Sequence, residues 1–340
     1  MDFTFTPEQD EAVALAAKIL AGEVSPERQR AVEATGARFD TELWATLGEA
    51  FDWADLDLIT TARVLVEVGR VVAPVPLASH AACVALLTSL GVDAPATLYT
   101  AAVAEPLDHL PDAPTVVADA EGRLTGAKTL VRAGMAADVL LVTATGPHGV
   151  GVHLVDARHA PELARAAQHT SDGDLSAEIT LSRSPSTRIG DAAAAERLAD
   201  VLTALACAEQ LGVVEGALAE TADYARTREQ FDRPIGSFQA VSQRLADGYI
   251  DALCLRLTTW QAIWRLSEGL PAEVEVATAK LWAADAGHRL AHTAVHIHGG
   301  VGIDLDGTTH RYFTAAKRFE MAYGGATEQA LRIGRALARG

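Results

Sequence analysis

Apolar residues recur at three- and four-residue spacing over the first part of the chain, a pattern that predicts helices. Thr6-Pro7-Glu8-Gln9 reads as an N-cap, a proline at the first helical position and a glutamine placed to close a capping box. The run Ala12 to Leu20 continues that helix until Gly22. Further helices are predicted over Thr41–Phe51, Asp57–Val71 and Ser79–Leu90, the last stopped by Gly91. From about Ala96 the texture changes. Short β-branched and apolar runs (Thr115–Ala118, Leu124–Val131, Asp138–Thr143, Val150–Val155, Ala177–Leu181) alternate with turn residues such as Glu121-Gly122 and Thr145-Gly146-Pro147-His148-Gly149. The spacing is that of hairpins without helical crossovers, so a small antiparallel β-domain is predicted.

After Gly190 the helical period returns. Ala193 to about Arg228 carries Leu198, Val201, Leu202, Leu205, Leu211 and Leu218 on or near one face. Ser237–Leu266, Glu273–His298 and Thr327–Ala338 follow, joined by short connections, which predicts an antiparallel four-helix bundle. The expected organisation is an α+β chain, mostly α: a helical domain over 1–95, a β-domain over 96–190 and a helical bundle over 191–340.

Charge narrows the partners. The formal net charge is −17 and no lysine or arginine run occurs, which argues against nucleic acid or an anionic membrane surface. An anionic ligand such as coenzyme A remains open, because a few local cations or helix N-termini suffice to hold it. No stretch of about 18 residues is purely apolar, so no membrane span is expected. Met1-Asp2-Phe3-Thr4 does not read as the start of a signal peptide. Cys83, Cys207 and Cys254 are odd in number and far apart, which fits a reduced cytoplasmic compartment.

Two stretches carry candidate chemistry. Tyr224-Ala-Arg226-Thr-Arg228-Glu229-Gln230-Phe231-Asp-Arg-Pro234-Ile235-Gly236-Ser-Phe238-Gln239 can be read simply as a helix end, with arginines complementing the dipole, followed by a turn. His296-Ile-His298-Gly299-Gly300-Val301-Gly302 can be read simply as a glycine C-cap. Together, at this separation and in this three-part order, they resemble the acyl-CoA dehydrogenase family. The resemblance covers the chain in outline and is sharp in the bundle. It rests on Arg228-Glu229-Gln230-Phe231, on Phe238-Gln239-Ala240-Val241 after the proline-isoleucine turn, and on Gly299-Gly300-Val301-Gly302. It implies FAD, reached across a subunit interface, with Arg228, Gln230, Phe231, Ile235, Phe238, Gln239, His296, Gly299 and Gly300 in contact. A guanidinium suits a diphosphate through forked, charge-assisted hydrogen bonds, and glycine admits close backbone approach.

The sequence also departs from the family pattern. Where the family's Tyr-Glu-Gly-Thr turn carries the catalytic glutamate, this chain reads Tyr323-Gly324-Gly325-Ala326. The alternative position for the base, on the first helix of the bundle, aligns with Leu202. Glu105-Pro106 resembles the family's Thr-Glu-Pro without the Gly-Ser-Asp that should follow, and Leu130-Val131-Arg132 stands for Trp-x-Thr. The half of a flavin site given to a neighbour is therefore expected to be kept, and the half used for the chain's own flavin degraded. With His310-Arg311-Tyr312-Phe313 and the short length, the chain resembles the short subunits of α2β2 acyl-CoA dehydrogenases that act on steroid-derived CoA thioesters in actinobacteria. The implied reaction is αβ-desaturation, and the implied partner a paralogous subunit. Glu328 and Glu320 are weak substitutes for the missing base, since solvation of a helix surface accounts for both. Two other readings stand beside this: an assembly-only subunit of the same fold, and a flavin monooxygenase or nitroalkane-oxidase-like enzyme. His288, His292 and His296 fall four apart on one helix face, yet span about 12 Å, too far for one zinc, and no metal site is expected.

Overall fold

Helix α1 (Pro7–Glu23) opens on the expected capping box, with the Gln9 N–H donating to Thr6 Oγ1 at 3.3 Å and the Thr6 N–H donating to Gln9 Oε1 at 3.1 Å. The computed structural model describes residues 4–339, so Met1–Phe3, read above for a signal sequence, lie outside the described residues, as does Gly340. Helix α2 (Pro26–Glu33) escaped the sequence reading because it buries only Gln29 and has no apolar stripe. Its signal is local: a Ser25 cap and Pro26 at the first position. Helices α3 (Thr41–Ala50) and α4 (Leu58–Arg70) start at Asp40 and Asp57, whose carboxylates accept from backbone N–H groups of the first turn. Helix α5 (Leu77–Ser89) completes this region and is buried along nearly its whole length.

The central sheet holds β1 (Tyr99–Ala102), β2 (Val117–Ala118), β3 (Arg123–Val131), β4 (Val139–Gly146), β5 (Gly149–Asp156), β6 (Leu163–Ala167), β7 (Ala177–Pro185) and β8 (Thr187–Gly190). The path runs β6-β7-β3-β2-β4-β5-β8, with β1 also on β4. The expected antiparallel pairing holds for β3–β7, β4–β5, β5–β8 and β6–β7. It fails at β4, which pairs in parallel with both β1 and β2, so the sheet is mixed. β1 reaches the sheet directly from α5 rather than through a hairpin, and all four of its residues are buried, so it shows no alternation to read.

The remainder is α6 (Ala192–Thr227), a hairpin of β9 (Glu229–Gln230) and β10 (Arg233–Pro234), then α7 (Gln239–Ser267), α8 (Glu273–His298), α9 (Thr309–Met321) and α10 (Ala326–Arg339). Four of these helices lie where the pattern predicts them. α9 is additional, and its buried face includes Thr309 and Arg311, which breaks the apolar period. Helix α6 is the axis of the molecule. By length and composition it could cross a bilayer, but 89% of its most apolar window is buried inside the protein. α4 lies so close to it that a Cβ on Gly69 would stand 2.0 Å from the Glu209 carbonyl oxygen, and one on Gly212 2.0 Å from that of Val66. The core continues from this contact through α5 and β1 into the bundle.

Candidate functional site

The far end of α6 delivers the first candidate stretch. The chain leaves the helix at Arg228 and turns back in a two-residue hairpin, with Gln230 opposite Arg233 and the Ile235 N–H donating to the Arg228 carbonyl at 2.8 Å. The two turn residues, Phe231 and Asp232, both sit at positive φ (56° and 62°), the left-handed pair that a type I′ turn requires. Neither is glycine or asparagine, so each carries a cost of order 1 kcal/mol. The turn holds Phe231 out from the surface, 86% exposed. Its ring meets that of Phe238 edge-on at 6.1 Å, and the Arg233 guanidinium lies 4.1 Å over Phe238.

Helix α8 brings the second stretch to the same place. Gly299 ends it at φ 65° and ψ −141°, a conformation open essentially to glycine. Just before it, His298 stacks on Tyr224 of α6, with ring centroids 4.3 Å apart and planes 23° from parallel. The stack pins the ends of α6 and α8 together. Between hairpin, α7 and α8 lies an apolar cavity of about 280 Å³, lined by Gln230, Phe231, Ile235, Phe238 and His296 among the expected residues. Ala240, Val241, Arg244 and Ile297 also line it. Arg228, Gln239, Gly299 and Gly300 are exposed beside the cavity without lining it. A Cβ on Gly300 would meet nothing within 4 Å, so internal packing does not demand glycine there.

The turn between α9 and α10 is different. Tyr323 and Gly324, between α9 and α10, have φ of 58° and 91°, and position 324 presents no carboxylate. Glu328 accepts from the Gly325 N–H at 3.1 Å and faces His109 at 3.2 Å. Glu320 is held by Lys317 at 2.7 Å and His288 at 3.0 Å. Leu202 is fully buried in the core, and Leu130 is exposed at φ 50°.

Arg132 belongs to a buried charged cluster close enough for its charge to act on the Tyr323 phenol. The Arg132 guanidinium donates to both Glu209 oxygens at 2.6 and 2.8 Å. Asp172 faces Arg318 at 2.5 Å and Arg38 at 3.6 Å. Burial opposes ionisation of Asp172, but the three surrounding arginines outweigh it and hold the carboxyl below its usual range. Burial pushes the Tyr323 phenol up to about 12. Sequence reasoning missed Arg38, Asp172, Glu209 and Arg318, because four separate segments contribute them and no local spacing marks them.

The histidine stripe divides. His288 bonds to Glu320 and Lys317 and lies 4.7 Å from the His292 ring, whereas His296 belongs to the apolar cavity.

Residues 192–338 match the acyl-CoA dehydrogenase C-terminal domain. The chain is 41% identical over 375 residues to acyl-CoA dehydrogenase FadE27 of Mycobacterium tuberculosis, covering 99% of each. It is 32% identical over 245 residues to acyl-CoA dehydrogenase FadE28 of the same organism, covering 70% of this chain and 69% of the relative. Among solved structures it matches a chain of the ChsE4-ChsE5 complex from Mycobacterium tuberculosis at TM-score 0.93 and 41% identity, over the whole of both chains. It also matches a variant of the Tcur3481-Tcur3483 steroid ACAD at TM-score 0.92 and 34% identity, over 98% of each chain. With near full-length identity of this order, a shared C-terminal domain and a shared fold, the chain belongs to the acyl-CoA dehydrogenase family, oxidoreductases acting on CH–CH groups.

Proposed function

We propose that this chain is the subunit of a heteromeric acyl-CoA dehydrogenase that helps hold a paralogous partner's FAD and does not itself supply the catalytic base. The observation that carries this reading is an asymmetry between two places in one chain. At the end of α6 an apolar cavity, exposed arginines and unencumbered glycines stand ready for a dinucleotide. At the Tyr323-Gly324 turn the carboxylate is missing, and beside it Arg132 is tied to Glu209. FAD, when bound, supplies the hydride acceptor for αβ-desaturation of a CoA thioester. This chain's share is to bind and orient: Arg228 offers forked donors to a diphosphate, Phe231 and Phe238 offer aromatic faces, and Gly299 and Gly300 admit close backbone contact.

Removal of the α-proton then falls to a carboxylate outside this chain, since a positioned general base contributes ~10²–10⁴-fold to such a step. The similarity to the Tcur3481-Tcur3483 steroid ACAD supports a steroid-derived CoA thioester as substrate. An assembly-only role is the second reading, favoured by Gly324 and the buried Arg132–Glu209 pair.

The test is a visible absorption spectrum with native mass, on the chain alone and then co-expressed with a paralogous subunit. A colourless chain alone, and a yellow hetero-oligomer with fewer than one FAD per subunit, is the expected result. A yellow chain with one FAD per polypeptide that acyl-CoA bleaches would make it a self-sufficient dehydrogenase and sink the proposal. An oligomer whose flavin content is indifferent to the hairpin would leave the assembly role instead.

A further inference from the structure

We propose that α7 pairs antiparallel with the α7 of a second copy of this chain, through an apolar stripe on its outer face; the inference does not depend on how the cavity is read. One face of α7 is buried against the rest of the bundle, through Ala252, Leu255, Ala262, Ile263 and Leu266. A second apolar face points outward. Tyr249, Ile250, Leu253 and Leu257 are between 38% and 62% exposed, and Ala246 is exposed in line with them. No other helix among the described residues exposes more than two large apolar side chains. At about 100° per residue the stripe stands roughly 150° round the helix from Arg244, and none of its residues lines the cavity. A helix that is apolar on two faces is one that is covered on both.

The order of side chains along the stripe identifies what covers it, because the stripe matches itself when reversed. With a two-fold axis midway between Asp251 and Ala252, Ile250 of one copy meets Leu253 of the other, and Ala246 meets Leu257, small against large. The symmetry makes each of these contacts twice. On one flank Tyr249 comes beside Arg256 of the second copy, an aromatic ring against a guanidinium. Glu215 already fixes Arg256 through bonds of 2.6 and 2.9 Å, and the arginine side chain stays 46% exposed. No charged residue interrupts the stripe, while Asp247 and Arg256 stand at its two edges, the apolar centre and polar rim of a protein interface. Four large side chains a copy fall short of the roughly 800 Å² a side that a stable interface buries. The contact therefore joins two copies inside a larger assembly. An assembly of two unlike chains, each present twice, has one exact two-fold axis, and that axis relates like chains to like.

The test uses the oligomer purified after co-expression with a paralogous subunit. Ala246→Cys/Leu257→Cys under mild oxidation is expected to yield a covalent dimer of this chain, twice 35.7 kDa, under denaturing and non-reducing conditions. The two positions lie about 16.5 Å apart along one helix, too far for a disulfide within a chain, so the bond forms only between copies. Each single variant should stay uncoupled, because position 246 faces 257 and not itself. Leu257→Glu should halve the native mass of the oligomer and weaken its reassociation roughly tenfold or more. Its circular dichroism should not change, since Leu257 is exposed within its own chain. A double variant that stays uncoupled, or that couples to the paralogous subunit in place of a second copy, overturns the proposal. So do single variants that couple as well as the double, which would break the register, and a Leu257→Glu oligomer of unchanged mass.

Discussion

A Cβ on Gly324 would stand 2.9 Å from the Gln329 amide nitrogen and 3.1 Å from a Glu328 oxygen, at a φ of +91° that residues with side chains rarely adopt. The turn is built around glycine, so restoring the family's glutamate by substitution is not a return to a vacant place. Gly324→Glu is expected to destabilise the chain by about 1–3 kcal/mol, through positive-φ strain and displacement of Gln329 and Glu328. It should give no acyl-CoA-dependent flavin bleaching in the chain expressed alone. Thermal unfolding and an anaerobic spectrum check both halves, and bleaching by this variant would show that the turn tolerates a working base. Gly300 makes the opposite case, because nothing inside the chain needs its small size. One glycine answers to its own fold, whereas the other is free of it.

At the scale of elements, the hairpin between α6 and α7 is the least conventional piece. Its turn places Phe231 and Asp232 at positive φ, where asparagine-glycine would be the ordinary choice. Asp232→Gly should relieve about 0.5–1 kcal/mol of that strain. Hydrogen exchange over residues 228–235 should then slow, and faster exchange would contradict the turn assignment. That the stretches around Arg228 and Gly299 belong together was legible in the sequence, and the Tyr224–His298 stack does bring the ends of α6 and α8 side by side, yet the turn type was not legible, because its signature residues are absent. Among the helices, those with a continuous apolar stripe were readable. α2 and α9 were not, since Gln29, Thr309 and Arg311 occupy their buried faces. β1 was invisible for the opposite reason, being buried throughout. The Arg132–Glu209 pair and the Asp172 cluster form only in the folded chain, from residues with no shared period.

For the whole molecule, buried lysines set an expected dependence of stability on pH. Lys280, on α8, is 1% exposed, and it donates to the Glu320 carbonyl oxygen at 3.2 Å. Burial lowers its amine from 10.5 to about 8. Below pH 8 folded and unfolded chains both hold the proton, so the cost of the buried charge is felt in full. Between about 8 and 10.5 the unfolded chain binds the proton more tightly than the folded one, so stability rises with pH. Lys280→Met should therefore be more stable at pH 7, by roughly 1–3 kcal/mol, with a shallower rise of Tm between pH 8 and 10. Some rise should persist, because burial lowers Lys128 to about 8 as well, against the pull of Glu105. Parallel Tm–pH curves for parent and variant would refute the assignment.

Helix α6 has a bearing on how such a chain can change over generations. Its 36 residues span about 54 Å, from the sheet at one end to the Arg228 hairpin at the other, with α4 locked against its middle at Gly212. It works as a keyed shaft. One residue inserted between Gly212 and Thr227 would turn everything beyond it by about 100° and advance it about 1.5 Å, swinging the hairpin away from the end of α8. Tyr224 would leave His298, and the cavity would come apart although every residue that lines it was still present. Substitutions along the shaft are graded in their effect, whereas changes in its length are all or nothing. Insertions and deletions in descendants of this chain should therefore collect in the loops of the sheet, where no phase has to be kept.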